Sequence, residues 1–138
     1  MKRKRKHRRA IIIPDQHFPL HDERAVNVVL KAIALVKPNI FINLGDVGEW
    51  ESVSSWKYKK IKQPPLEYQL KIGKLTFIHG AFATVNHAKK HLDSYGANIV
   101  YGHTHDIQRI TGTKLGGTIG SWSMGCLKDM SREQNKWL

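Results

Sequence analysis

Six residues of two kinds stand behind four short apolar runs. Asp15 and His17 follow Ala10, Ile11, Ile12 and Ile13. Asp46 follows the run from Ile40 through Leu44 and Gly45. His79 follows Leu75, Thr76, Phe77 and Ile78, and His103 and His105 follow Asn98, Ile99, Val100 and Tyr101. Carboxylate and imidazole together suit Mn, Fe, Co, Ni or Zn better than Ca or Mg. In Asp15-Gln16-His17 and His103-Thr104-His105 the two candidate ligands are two residues apart, and on extended backbone alternate residues share a face. Each pair is therefore expected to aim at one point. A carboxylate can bridge two ions about 3.5–4 Å apart, a pairing that suits phosphoryl displacement. Asp46 is the candidate bridge, because Gly45 lets the backbone turn close to the metals. Taken singly, Asp15 reads as a loop cap and His79 as a core histidine. The weight lies in four strand ends carrying such residues in succession.

The elements that must position them read as follows. Residues 10–14 form an Ile-rich run suited to a strand buried on both faces. A helix follows from 21–23 with Asp22 as N-cap, its inner face made by Val26, Val29, Leu30, Ile33 and Ala34, and Pro38 closes it. Residues 40–44 form the second strand, which makes a βαβ unit with parallel strands. Residues 49–61 suit a helix with Trp50 and Trp56 partly buried, ended by Pro64 and Pro65. Residues 66–72 and 75–79 flank Gly73-Lys74 as a hairpin. An amphipathic helix is expected over 84–95 with Gly96 as its left-handed stop, then strands over 98–101, 106–111 and 118–123. The fold class is thus α/β, parallel in its N-terminal half and mixed or antiparallel in its C-terminal half. Ligands in open α/β sheets bind at the carboxyl ends of strands, where all six residues fall.

The chain of 138 residues suits one domain spanning 10–138. Formal net charge is +12, and Lys2, Arg3, Lys4, Arg5, Lys6, Arg8 and Arg9 supply seven of the positive charges. Residues 1–9 therefore read as a disordered basic tail whose fitting partner is nucleic acid, through salt-sensitive phosphate contacts. The single cysteine, Cys126, excludes a disulfide framework and reads as a buried thiol in a reducing compartment. No apolar run is long enough for a membrane span, and Pro14 and Asp15 interrupt the first one too early for a signal peptide. A cytoplasmic protein without a membrane partner is expected. Trp122 reads as partial core, Gly116, Gly117 and Gly120 as turn and packing glycines, and His87 and His91 as surface or half-buried residues of the third helix rather than ligands.

The ordered blocks Asp15-Gln16-His17, Gly45-Asp46-Val47-Gly48, His79-Gly80 and Gly102-His103-Thr104-His105 resemble the calcineurin-like metallophosphoesterases. The likeness runs from about Ala10 to Ser123. It implies a layered metallophosphoesterase fold. It also implies hydrolysis of phosphomonoesters or phosphodiesters by a metal-bound hydroxide, and one or two divalent transition ions (Mn, Fe, Ni or Zn). By that resemblance Asp15, His17 and His105 hold one ion, His79 and His103 the other, and Asp46 is shared. The family's Gly-Asn-His block is absent: the interval between Asp46 and His79 contains no histidine, as though a piece had been removed near 69–70. The family's Asn binds the second ion and its His assists the leaving group. The expected activity is accordingly a weakened phosphodiesterase or nuclease-like one. The alternative is a non-catalytic metal-binding module that binds nucleic acid or a protein partner. No residue can be assigned a catalytic role from sequence beyond the six metal ligands.

Overall fold

The computed structural model describes residues 8–48 and 69–131. The first seven tail residues, the helix expected over 49–61 with Trp50 and Trp56, Pro64 and Pro65, the first residues of the hairpin and Trp137 lie outside the described residues.

Two sheets carry the fold. Strand β1 (Ala10–Ile13) and strand β2 (Ile40–Asn43) pair in parallel, with Ile11 opposite Phe41 and Ile12 opposite Ile42. Parallel neighbours need a crossover, and helix α1 (Glu23–Val36) supplies it. Asp22 caps α1: its Oδ1 accepts from the Arg24 amide at 2.8 Å and the Ala25 amide at 3.3 Å. Lys37 ends the helix in the left-handed conformation, with its amide donating to the Ile33 carbonyl. The apolar stripe is rotated from the expected one. Ala25, Val26, Val29, Ala32 and Ile33 are half-buried, while Leu30 and Ala34 face out. Strand β1 is half-buried rather than enclosed on both faces, and among the described residues β2 is its one strand partner.

The second sheet runs β3 (Leu70–Ile72), β4 (Leu75–Ile78), β5 (Asn98–Tyr101), β7 (Gly117–Ser123) and β6 (Arg109–Lys114) in spatial order. The pairs β4–β5 and β5–β7 are parallel, and the outer strands β3 and β6 join antiparallel. The sheet is mixed, with a parallel centre, the first of the two arrangements (mixed or antiparallel) expected for the C-terminal half. Helix α2 (His87–Tyr95) connects β4 to β5, and Gly96 stops it in the left-handed conformation. The helix begins three residues later than its periodicity suggests. Asn86 makes no side-chain cap bond; instead Gln108 accepts from the Ala88 amide at 3.3 Å and donates to the Val85 carbonyl at 2.8 Å. Strand β6 starts at Arg109 rather than at 106, and the Gln108 carbonyl accepts from the Ser123 amide of β7 at 2.8 Å.

Ile42 and Leu44 pack against Phe77 and Val100, with Ile12, Ile40, Ile72 and Trp122 around them. This apolar layer joins the two sheets. Ile78, Ile99 and Tyr101 pack with Tyr95 and Ala97 in a second cluster, and the buried residues of α2 are His87, Ala88, His91 and Leu92. A segment after β7 laces the sheets together. The Met124 amide donates to the Tyr101 carbonyl, Leu127 to Asp15 and Asp129 to Leu20, and the Asp22 amide donates to the Leu127 carbonyl. Among the described residues no helix is long and apolar enough to cross a membrane.

Candidate metal centre

Four loops, two from each sheet, leave the carboxyl ends of β1, β2, β4 and β5 and meet. The loops after β1 and β2 are zipped together by backbone: the amides of Gln16 and His17 both donate to the Asp46 carbonyl, at 3.0 and 2.9 Å, and Phe18 donates to Val47. The loop after β5 is tied to β1 by the His103 amide, which donates to Asp15 Oδ2 at 2.7 Å. The ladder between β4 and β5 is extended by the Gly102 amide donating to the His79 carbonyl.

All six sequence-derived candidates are brought together. Donor atoms of Asp15, His17, Asp46 and His105 lie within 4.8 Å of one another, and so do those of Asp46, His79 and His103. Asp46 belongs to both groups. His17 Nε2 is 2.8 Å from His105 Nε2 and 4.0 Å from Asp46 Oδ2. His105 Nε2 is 3.8 Å from Asp15 Oδ2. His79 Nε2 is 3.5 Å from Asp46 Oδ2.

The convergence does not come from extended backbone. His17, Asp46, His103 and His105 all have positive φ, at 56°, 33°, 71° and 59°. Among the described non-glycine residues only Lys37 shares that property. Each such residue costs roughly 1–3 kcal/mol, and clustered strain of this kind marks functional sites. The strain is held by the loop hydrogen bonds above and by Thr104 Oγ1, 3.1 Å from Ser123 Oγ, which in turn donates to the Asp106 carbonyl at 2.7 Å. Two glycines make room. A Cβ at Gly45, whose φ is 146°, would run into the His79 ring, and one at Gly102 would lie 2.5 Å from Asp15 Oδ1.

The donors fit a divalent transition ion. Asp15 is fully buried, and among the described residues its Oδ1 accepts no hydrogen bond, with His79 Nδ1 3.7 Å away. A buried carboxylate oxygen without a partner is costly unless it is paired or ligates a metal. Burial raises the Asp15 carboxyl above its ordinary value, against the pull of His79 and the His103 amide. Burial also lowers His103, assisted by the charge of His79. His105 is pushed down to about 4 by burial first, then by His17 and Lys128. Neutral imidazoles are the form that ligates metal. His79 Nδ1 lies 3.1 Å from the Leu44 carbonyl, to which it donates. This fixes the tautomer and leaves the Nε2 lone pair toward Asp46.

The centre forms one side of a cleft of about 630 Å³, whose other walls include Ala83, Thr84, Val85, His87, Thr104, Asp106, Gln108, Lys128 and Met130. Lys128 and Asp106 were not singled out from sequence, and His87 was read only as a residue of the third helix and not as a ligand. His87 Nε2 is 2.7 Å from Asp106 Oδ1, and Nδ1 is 2.5 Å from the Tyr101 hydroxyl. Burial pushes the Tyr101 hydroxyl up, so it remains a donor. Burial raises Asp106, but contacts with His87 and Thr104 outweigh it and hold the carboxyl low. His87 and His91 are fully buried, correcting the surface or half-buried expectation. His91 stacks on Tyr101 at 3.9 Å, and its Nε2 accepts from the Ala81 amide at 3.0 Å. They are buried because α2 lays this face on the sheet, and neither joins the metal-ligand groups. Cys126 is half-buried, with its thiol pushed up by burial.

Comparison with known protein families, with curated proteins and with solved structures finds no match to this chain.

Proposed function

We propose that this chain is a metal-dependent phosphoesterase of the metallophosphoesterase type, with the layered fold of that type, acting on phosphodiesters. The observation that carries the reading is the pair of donor groups sharing Asp46. A carboxylate shared by two donor groups suits a two-ion site for in-line displacement at phosphorus. When bound, such ions supply a nucleophile at neutral pH and neutralise phosphoryl charge.

The chain's own residues have separate tasks. Asp15, buried and fixed by the His103 amide, presents Oδ1 inward. His17 and His105 complete its group, and Asp46 reaches from that group to His79 and His103. Leu44 orients the His79 ring. Ala83, Val85 and Met130 give the cleft an apolar side. The basic residues 2–9 would draw a polyanionic substrate such as nucleic acid.

A specific observation favours a second reading, a metal-holding module without turnover. The group of Asp46, His79 and His103 has three protein donors, and the interval before His79 holds no histidine to serve as proton donor. Three ligands hold an ion with one position open, but loss of general-acid help typically costs 10²–10⁴ in rate. The test is to measure Mn, Fe, Ni and Zn in the purified chain and to assay bis-nitrophenyl phosphate with added Mn. The phosphoesterase reading expects slow turnover that vanishes in Asp46→Asn and His103→Ala. Bound metal without turnover would instead favour the module.

A further inference from the structure

We propose that Asp106 recognises the organic group of the substrate by accepting a hydrogen bond from a hydroxyl or amino group carried on it. The inference rests on the phosphoesterase reading and names a substrate class for the same cleft. A cleft of about 630 Å³ is of the size that holds a whole small molecule. Room for an organic group therefore remains beside a phosphoryl group at the metal centre. Asp106 lines that cleft next to His105, its neighbour in sequence, at a Cα separation of about 3.8 Å. A carboxylate so close would ordinarily be a further ligand, yet Asp106 joins neither donor group. Its side chain is 52 % exposed.

The carboxylate is held from behind. His87 Nε2 lies 2.7 Å from Oδ1, and the Gln108 amide donates to Oδ2 at 3.2 Å. His87 is buried against the Tyr101 hydroxyl, and Gln108 is tied to the Ala88 amide and the Val85 carbonyl. A carboxylate fixed in this way loses little further freedom when a ligand binds. It accepts about four hydrogen bonds and donates none, so these contacts leave it able to accept from a ligand. Apolar surface lies alongside. Val85 is 88 % exposed and Met130 43 % exposed, and both line the cleft. Apolar walls with a few fixed polar groups are the usual make-up of a small-molecule site. The carbon skeleton of the organic group would cover Val85 and Met130 and displace water from Asp106. A ligand without a donor would leave that carboxylate desolvated and unpaired, which is costly. A second anionic group would be repelled. Sugar hydroxyls, base amino groups and amino alcohols all carry the matching chemistry.

The test titrates propylphosphonate, 2-hydroxyethylphosphonate and 2-aminoethylphosphonate calorimetrically into the Mn-saturated chain. The three share the phosphonate and differ only in the last heavy atom. Their C–P bond is not hydrolysed, so binding is read whether or not the chain turns over phosphoesters. Wild type is expected to bind at least one donor-bearing probe roughly tenfold more tightly than propylphosphonate, the worth of one hydrogen bond to a charged group. The better of the two identifies hydroxyl or amine as the recognised group. Asp106→Ala is expected to lose that preference, and Asp106→Asn, which keeps the size and drops the charge, to lose most of it. Both should take up Mn and bind propylphosphonate as wild type does. Equal affinity of wild type for the three probes overturns the proposal, as does no binding of any of them or a preference that survives in Asp106→Ala. An equal loss for all probes, or lost Mn uptake in both variants, also overturns it, by making Asp106 a support for His105. Wild type that binds Mn and the probes but does not hydrolyse bis-nitrophenyl phosphate sinks the phosphoesterase reading alone, and the probe comparison still decides Asp106.

Discussion

Gly45 shows how closely the centre is fitted. Its φ of 146° is open to glycine and strained for other residues, and any Cβ there would enter the His79 ring. Gly45→Ala should therefore displace His79 or Asp46 and weaken Mn binding at least ~10-fold, since a misplaced ligand loses coordination geometry. Mn titration of the variant checks this, and wild-type affinity would contradict it. That these six side chains gather at one place was legible because each follows an apolar run, a pattern visible locally. How Asp15 and His17, or His103 and His105, converge was not legible. Left-handed backbone at His17, His103 and His105 is selected by contacts between loops, which local spacing does not encode. The place of Lys128 on the cleft wall was not legible for the same reason: it is set by a pairing with His21, far away in sequence.

At the scale of elements, the strands carry the candidate ligands and the apolar layer between sheets fixes the strands. Phe77 is the largest buried side chain of the cluster that also holds Ile42, Leu44 and Val100, and it precedes His79 by two residues. Phe77→Ala should cost ~3–5 kcal/mol of folding stability, read as a lower urea midpoint. A change below ~1 kcal/mol would mean that the sheets are not joined there. The strands β1, β2, β4 and β5 were legible from β-branched apolar runs, and Asp22 and Gly96 marked helix ends correctly. The start of α2 was not, because Gln108, distant in sequence, bonds to Ala88 and Val85 there. The outward turn of Leu30 and Ala34 on α1 likewise depends on how the helix settles, since apolar residues on both flanks offer more than one stripe.

The whole molecule should carry the cost of its buried histidines as a pH dependence. His91 is fully buried, and burial lowers it to about 4 from an ordinary 6.5. Between those values the unfolded chain binds a proton at this residue and the folded chain does not. Stability from His91 is thus complete above pH 6.5 and falls as pH drops toward 4, by up to ~3 kcal/mol. His103 and His105 are shifted in the same direction, so the wild-type slope includes them. Urea midpoints across this range should fall less steeply in His91→Gln than in wild type, and identical slopes would contradict the assignment. The burial of His91 was not legible, because nothing in the helix itself says that Tyr101 will stack beneath it. The joining of β1 to the segment after β7, through Asp15 and Cys126, was also hidden, since the two lie at opposite ends of the chain.

The central claim is that one carboxylate serves two ions. Counting bound Mn at equilibrium tests it most directly, with wild type and Asp46→Ala measured side by side. The account predicts two ions per wild-type chain at saturation, and in Asp46→Ala one weakly held ion or none, because both donor groups lose a member. No binding by wild type at millimolar Mn would contradict it, and so would Asp46→Ala binding two ions as tightly as wild type.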